Sequence, residues 1–449
     1  MSVFNVREYG AVGDGITKDT ASLQKALDDC GVSGGTVLVP AGTYLTGTLY
    51  LKDDTCLELA PGSTLLASLS PKDYNADDFC PQNRVHSGEK ASGAHLITAV
   101  ERKNITIRGG GRIDGRGMEF HTVNPDNPKH ATITGWRPAQ MVFLCECDNV
   151  RIEGVELFSS PYWTCFLHGC EHVIVRGVRI WNDRRTINGD GLDLDCCREV
   201  VVSDCLIESS DDSITLRGND EPLKKKRACE NVAVSNCVLR STCDGVRIGV
   251  GHGLIQQAVF SNLVIDGAPK FGICVQSNYC YPGNLHLDHT NRGAKIRDIR
   301  FNNIQMPDVR GAIQLHQGYD GGKDIENIFF ESINAKARSG SFIKGNSKMS
   351  PKHIVLSRVE IEIAGEEQYL LPVERWDKKN FSWDGCLPAA LYLADLENLE
   401  IDRCRITWGE TTGPWRHSIW GERLSDWQIT NCRLETPPDA ETAQYMSEE

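Results

Sequence analysis

The sequence has no surplus of positive charge, no long apolar run and no dense cysteine framework. Lys and Arg number 48 against 61 Asp and Glu, a formal net charge of −13. A dedicated nucleic-acid binder ordinarily shows a basic face, so nucleic acid is not an expected partner. No apolar stretch approaches the roughly 18 residues of a membrane span, and a membrane is not an expected partner either. The opening Met1-Ser-Val-Phe-Asn-Val lacks the basic and apolar regions of a secretory leader. A cytoplasmic protein is expected on that basis, or a secreted or periplasmic one if a leader has been removed. The 18 cysteines among 449 residues fall short of the roughly 8–10% of a disulfide scaffold and form no paired CxxC zinc motif. They are expected to be reduced, buried and apolar in character. Oligomeric state is not legible.

What the sequence does contain is a repeat. A polar residue, an alternation of apolar and polar residues, a turn residue and a second apolar pair recur along the chain. Copies include Asn104-Ile-Thr-Ile-Arg-Gly, Asn149-Val-Arg-Ile-Glu-Gly, His172-Val-Ile-Val-Arg-Gly, Glu199-Val-Val-Val-Ser-Asp, Asn231-Val-Ala-Val-Ser-Asn, Asp298-Ile-Arg-Phe-Asn-Asn and Asn327-Ile-Phe-Phe-Glu-Ser. Most neighbours are about 23 to 32 residues apart, a solenoid spacing. Period-two alternation predicts strands with one buried face, and a unit that cannot bury that face alone must stack on its neighbours. The expected fold is all-β: a right-handed parallel β-helix, with like residues over like. Cys205, Cys237, Cys404 and Cys432 share one step of their repeats and should form an inward corner stack of structural thiols.

A helix is expected near the start. Asp19-Thr20 would cap it, Leu23, Ala26 and Leu27 share one face, and Gly31 would end it. It would cover the exposed edge of the first coil. The expected organisation is residues 1–35 as first strand and capping helix, 36–436 as the β-helix with loop insertions, and 437–449 as a loose tail.

In such a coil, outward residues of successive rungs meet in a column. Asn188-Gly-Asp-Gly-Leu-Asp193, Ser210-Asp-Asp-Ser213 and Cys243-Asp-Gly-Val-Arg247 occupy corresponding places. Asp-Gly and Asp-Asp taken singly are turn residues. Together they put Asp190, Asp193, Asp211, Asp212 and Asp244 at the entry to one sheet, with His168, Arg217 and Arg247 alongside. Stacked carboxylates repel and raise one another's pKa, an arrangement rarely kept without a use. One protonated and one ionised carboxyl group are what glycosidic hydrolysis requires.

With these motifs, the chain resembles glycoside hydrolase family 28, the polygalacturonase family. The resemblance rests on Phe4-Asn-Val-Arg-Glu-Tyr-Gly-Ala-Val-Gly-Asp-Gly, Gly34-Gly-Thr-Val-Leu-Val-Pro-Ala-Gly-Thr-Tyr, Leu57-Glu-Leu-Ala-Pro-Gly-Ser-Thr-Leu, Arg137-Pro138, Ser160-Pro-Tyr-Trp163 and the aspartate motifs, in family order over roughly residues 4 to 436. The opening signature is shared with other β-helix proteins. The resemblance implies Asp211 as general acid, with Asp190 and Asp212 orienting and deprotonating water, and inversion at the anomeric carbon. It implies no metal and no cofactor. Asn188-Gly189-Asp190 has Gly where the family has Thr. Asp244 stands where the family has the His of Gly-His-Gly, and Cys274-Val-Gln276 replaces Arg-Ile-Lys. The later Gly251-His252-Gly253 is read as an accidental match. Arg247, one rung earlier than Gln276, is the candidate for a substituted carboxylate clamp. His168, Asp193, Arg217, Asp244, Arg247 and Gln276 are therefore the expected substrate-binding residues.

Insertions around 68–95, 116–138, 279–295 and 365–388 are expected to rim the site, which favours release from a chain end. Trp163, Trp376, Trp383, Trp415 and Trp420 are candidates to stack on sugars, though a single Trp is more often a packing anchor. The expected substrate is a pectic-type oligosaccharide or polysaccharide, galacturonan or rhamnogalacturonan-related. A lyase using calcium on paired aspartates and an inactive carbohydrate-binding relative are the rival readings.

Overall fold

The computed structural model describes residues 2–75, 89–277, 293–317, 324–346, 349–365, 389–411, 415–438 and 440–447. Trp376 and Trp383, and most of the insertions at 279–295 and 365–388, lie outside the described residues. The chain divides into two compact units: residues 1–215 with 220–232, and residues 216–219 with 233–449. Each unit is a stack of parallel β-coils, which makes the fold a parallel β-helix. Parallel strands linked by crossovers wind right-handed.

In the first unit the strands form three parallel sheets. Strands Gly35–Val39, Thr55–Leu59, Lys103–Gly109, Asp148–Glu153, Glu171–Arg176 and Arg198–Ser203 pair in order to make the first sheet. Gly42–Thr46, Ser63–Ala67, Arg112–Asp114, Glu156–Phe158, Arg179–Trp181 and Leu206–Glu208 make the second. Leu49–Tyr50, Ile97–Val100, Val142–Cys145, Cys165–His168 and Leu192–Asp195 make the third. The polar residue that opens each repeat has a physical reason. Asp54, Asn104, Asn149, His172 and Glu199 all turn the corner with φ between 52° and 56°, a left-handed conformation that Asn and Asp tolerate best. Their side chains ladder across coils: Asn104 Nδ2 donates to Asp54 Oδ1 at 2.5 Å and Asn149 Nδ2 to Asn104 Oδ1 at 2.7 Å. The apolar alternation then stacks Ile105, Val150, Val173 and Val200 inside, all buried, each contributing about 1.5–3 kcal/mol.

The helix runs Thr20–Ser33 and buries Leu23, Ala26, Leu27 and Cys30 against the first coils. Two expectations about its ends are corrected. Asp19 does not cap it by a side-chain bond; its carboxylate instead accepts from the Val12 and Gly13 amides at 2.6 and 3.0 Å. Gly31 lies inside the helix, because a Cβ there would sit 2.4 Å from Lys52 Cβ, and the chain turns out at Gly34 with φ 71°.

The second unit also consists of parallel coils, but its strands run through the corners. Leu254–Gln276 spans 23 residues and Lys295–His316 spans 22. Phe260, Phe301 and Phe330 stack inside at centroid spacings of 5.1 and 5.3 Å. Residues 444–447, expected in a loose tail, form a parallel strand on His417–Thr430.

No disulfide joins any of the 15 described cysteines. Cys205 Sγ donates to Val175 O and Ser203 O, and Cys404 and Cys432 Sγ make the same kind of bond to the coil below. Burial is the main cause of the raised pKa of Cys165, Cys170, Cys196 and Cys197, which keeps these thiols protonated and inert. Among the described residues no helix is long and apolar enough to cross a membrane.

Candidate active site

The third sheet of the first unit carries the candidate chemistry on its outer side. Cys165, Leu167, Leu192 and Leu194 point inward and are buried. Phe166, His168, Asp193 and Asp195 alternate with them and point outward. The register sets Phe143, Phe166 and Asp193 over one another, and Cys145, His168 and Asp195 likewise. Below Asp193 the column is aromatic. His95 stacks on Phe143 at 4.3 Å, and Tyr162, Trp163 and Phe166 stack in sequence at 4.7 and 5.1 Å. Trp163 is buried in this stack, and Trp415 is buried with its Nε1 donating to Thr411. For both, packing is the role the structure displays.

Asp190 and Asp212 occupy the turn that enters this sheet on neighbouring coils. Thr164 N–H donates to Asp190 O at 2.9 Å, and Gly191 N–H donates to Asp212 O at 2.9 Å. Both aspartates are buried. Asp211 is partly exposed, and its Oδ1 accepts from the Asp212 amide at 3.1 Å. The turn is held by polar side chains folded under it. Asn182, fully buried, donates to Thr164 Oγ1 at 2.8 Å and Gly189 O at 3.0 Å and accepts from the Ser160 amide. Ser209 Oγ donates to Asp211 O and lies 3.0 Å from Ser213 Oγ. The glycine at 189 follows from this packing. A Cβ there would lie 2.0 Å from Ser210 Oγ, whose hydroxyl is hydrogen-bonded to Thr186 at 2.6 Å.

Two groups beside these aspartates were not assigned from sequence. Asp195 is buried, with Oδ2 3.9 Å from His168 Nε2. Arg137, quoted above only as part of a motif, is fully buried. It donates to Pro161 O, Ile187 O, Glu89 O and Asn188 Oδ1 at 2.6 to 3.0 Å, and its guanidinium carbon lies 4.5 Å from the Tyr162 centroid. Burial lowers its pKa, while Tyr162, Glu89 and Asp190 oppose that shift by their charge. Arg137 thus fixes the loop that presents Asp190 and supplies a positive charge in its surroundings. An alternating pattern in a strand reveals Asp195 only once the register is known, and an arginine in a loop gives no periodic signal at all.

The remaining expected residues lie in the second unit. Arg217 is in strand Ile214–Gly218 and is buried. Arg247 stands outward between the buried Val246 and Ile248. Gln276 pairs with His316 on the next coil. Asp244 is buried, and its Oδ1 accepts from the Phe271 amide at 2.9 Å, which ties the carboxylate to the following coil. The amides of His252 and Gly253 donate to Gly218 O at 3.1 and 2.7 Å, so this Gly-His-Gly folds back on a strand end.

Parallel coils thus bring buried aspartates to one turn of neighbouring rungs, beside an outward histidine–carboxylate pair and an aromatic wall. The model of "Glycosyl hydrolases family 28" matches residues 36–224, and that of "Rhamnogalacturonase A/epimerase, pectate lyase-like" matches residues 3–57. A probable polygalacturonase of Arabidopsis thaliana is 27% identical over 80% of this chain and 69% of its own length. An exo-poly-alpha-D-galacturonosidase of Dickeya chrysanthemi is 30% identical over 47% of this chain and 41% of its own. Among solved structures, the family 28 exopolygalacturonase of Yersinia enterocolitica matches with a TM-score of 0.70 at 18% identity, over 99% of this chain and 78% of that one. The exopolygalacturonase of Thermotoga maritima matches at 0.64 and 20%, over 81% and 87%. Over residues 36–224 the chain is similar to glycoside hydrolase family 28, and at 27 and 30% identity it is similar to the polygalacturonase and the galacturonosidase just named. The cytoplasmic location expected from the first residues gains no support from these relatives.

Proposed function

We propose that the protein hydrolyses an O-glycosidic bond of a pectic-type oligosaccharide, galacturonan or rhamnogalacturonan-related, with inversion and from a chain end. The observation that carries this reading is the turn at which Asp190 and Asp212 are buried on neighbouring coils, with the carboxylate of the more exposed Asp211 accepting from the Asp212 amide. Asp211, the carboxyl group with access to solvent, is assigned as the acid that protonates the leaving oxygen. Asp190 and Asp212 are assigned to hold the attacking water and take its proton as the water oxygen bonds to the anomeric carbon from the opposite face. His168, Asp193, Arg217, Asp244, Arg247 and Gln276 are assigned to substrate binding, with Asp244 acting through the coil it anchors. The pectic substrate is supported by the names of the relatives, and the exo action by the Dickeya chrysanthemi relative.

Replacing each aspartate by Asn tests the assignment. Asp190→Asn, Asp211→Asn and Asp212→Asn should each lower kcat by about 10²–10⁴-fold, with the melting temperature nearly unchanged. Turnover of oligogalacturonides within threefold of the parent in any of the three would remove that residue from the mechanism. Unsaturated-uronate absorbance that disappears with chelator would replace the hydrolase with a lyase.

A further inference from the structure

In the second unit, Val246–Gly251, the ends of the two long strands and Ser341–Lys344 form a parallel sheet whose outer side differs from that of the third sheet of the first unit. The register places Arg247, Cys274, Gln314 and Phe342 in one outward column, and Gln276, His316 and Lys344 in the next. Ile313 and Leu315 are fully buried in the coil interior, so Gln314 and His316 between and after them point out of it. Outward residues on a solvated coil are ordinarily exposed, yet Gln314 is 1% exposed and His316 3%. Gln314 Nε2 is also buried without a hydrogen-bond partner. A buried amide donor left unsatisfied is destabilising, and a Leu of similar volume would fill the place without that cost.

Among the described residues, two cations, Arg247 and Lys344, lie in these columns, and Glu422 follows two coils beyond Lys344. Lys344 is partly exposed, Arg247 stands at the start of the Gln314 column, and His316 beside Lys344 is neutral. Burial first, and the Lys344 charge second, push its pKa down to about 3. Phe342 is fully buried in a hydrophobic cluster, with its ring 6.3 Å from that of His316.

We propose that Gln314, His316 and Lys344, flanked by Arg247 and Gln276, form a subsite for the carboxylate of an acidic sugar residue. Lys344 supplies the counter-charge and Gln314 Nε2 a hydrogen bond to the bound sugar. The neutral ring of His316 can bond a hydroxyl. The subsite takes the place of the Arg-Ile-Lys cations that Cys274-Val-Gln276 lacks, on later coils of the same sheet. It rests on the acidic-substrate part of the proposed function and on none of the aspartate assignments.

The test is calorimetric binding of trigalacturonate and of its methyl ester to the full chain. Lys344→Met should raise Kd for trigalacturonate about 10-fold, the loss of one charge-assisted bond, and change that for the ester less than twofold. Gln314→Leu should raise Kd for both while leaving the melting temperature equal or higher. Equal effects of Lys344→Met on the two ligands, or no effect of either variant in a folded protein, would overturn the subsite. A parent protein that binds trigalacturonate through Lys344 but cleaves no linkage would keep the subsite and defeat the hydrolase reading.

Discussion

The two units use one architecture for different ends. In the first, strands are short, and the corners between them are packed with Asn, Ser and Thr whose hydrogen bonds fix a turn bearing Asp190 and Asp212. In the second, strands of 22 and 23 residues carry the chain through the corners, and the interior is held by a phenylalanine stack. The outer face of one sheet in each unit follows the same division. It bears Asp193, Asp195 and His168 in the first unit and amides, cations and aromatic rings in the second. A β-helix makes this easy, because backbone pairing and inward side chains do most to hold a coil on its neighbours. Outward positions and corners can then differ from rung to rung without altering the fold.

The comparison is broken most readily at the interior. Phe301, fully buried between Phe260 and Phe330, should cost about 3–5 kcal/mol of stability on Phe301→Ala. A loss under 1 kcal/mol in denaturant titration would mean that the stack does not hold the second unit. A smaller effect is expected at the polar corner of the first. Gly189→Thr restores the residue of the family motif but forces a Cβ against Ser210, so it should cost about 1–3 kcal/mol as an overpacked site. Adding Ser210→Gly should recover part of that loss. Additive losses in the double variant would show that Ser210 is not what excludes a side chain at 189.

A pH dependence is also expected. His95 is fully buried against Phe143, and burial lowers its pKa to about 3. Its folded value lies below the unfolded value near 6.5, so the unfolded chain binds the proton first. The stabilisation is complete above about pH 6.5 and is lost as pH falls toward 3, at up to about 1.4 kcal/mol per pH unit for one proton. His95→Gln should flatten the slope between pH 6.5 and 4.5. An unchanged slope would place the proton uptake elsewhere.

Much of the fold was legible because a stacked solenoid writes its geometry as a repeat. The alternation Asn149-Val-Arg-Ile names both the left-handed corner and the inward pair. The aspartates were legible because turn residues recur at the same step. What escaped depends on contacts rather than on period. Gly31 read as a helix end because Gly usually is one, whereas close packing on Lys52 requires it mid-helix. Residues 444–447 read as tail because their pairing partner is a strand more than 20 residues earlier. Arg137 has its partners up to 51 residues away, and Asp244 is engaged by an amide 27 residues on.

The stereochemistry of the released sugar tests the central assignment most directly. Proton NMR of trigalacturonate during the first turnovers of the parent protein should show the new reducing end with the anomeric configuration opposite to that of the cleaved bond, before mutarotation. A first product with the original configuration would contradict the single-displacement roles given to Asp190, Asp211 and Asp212.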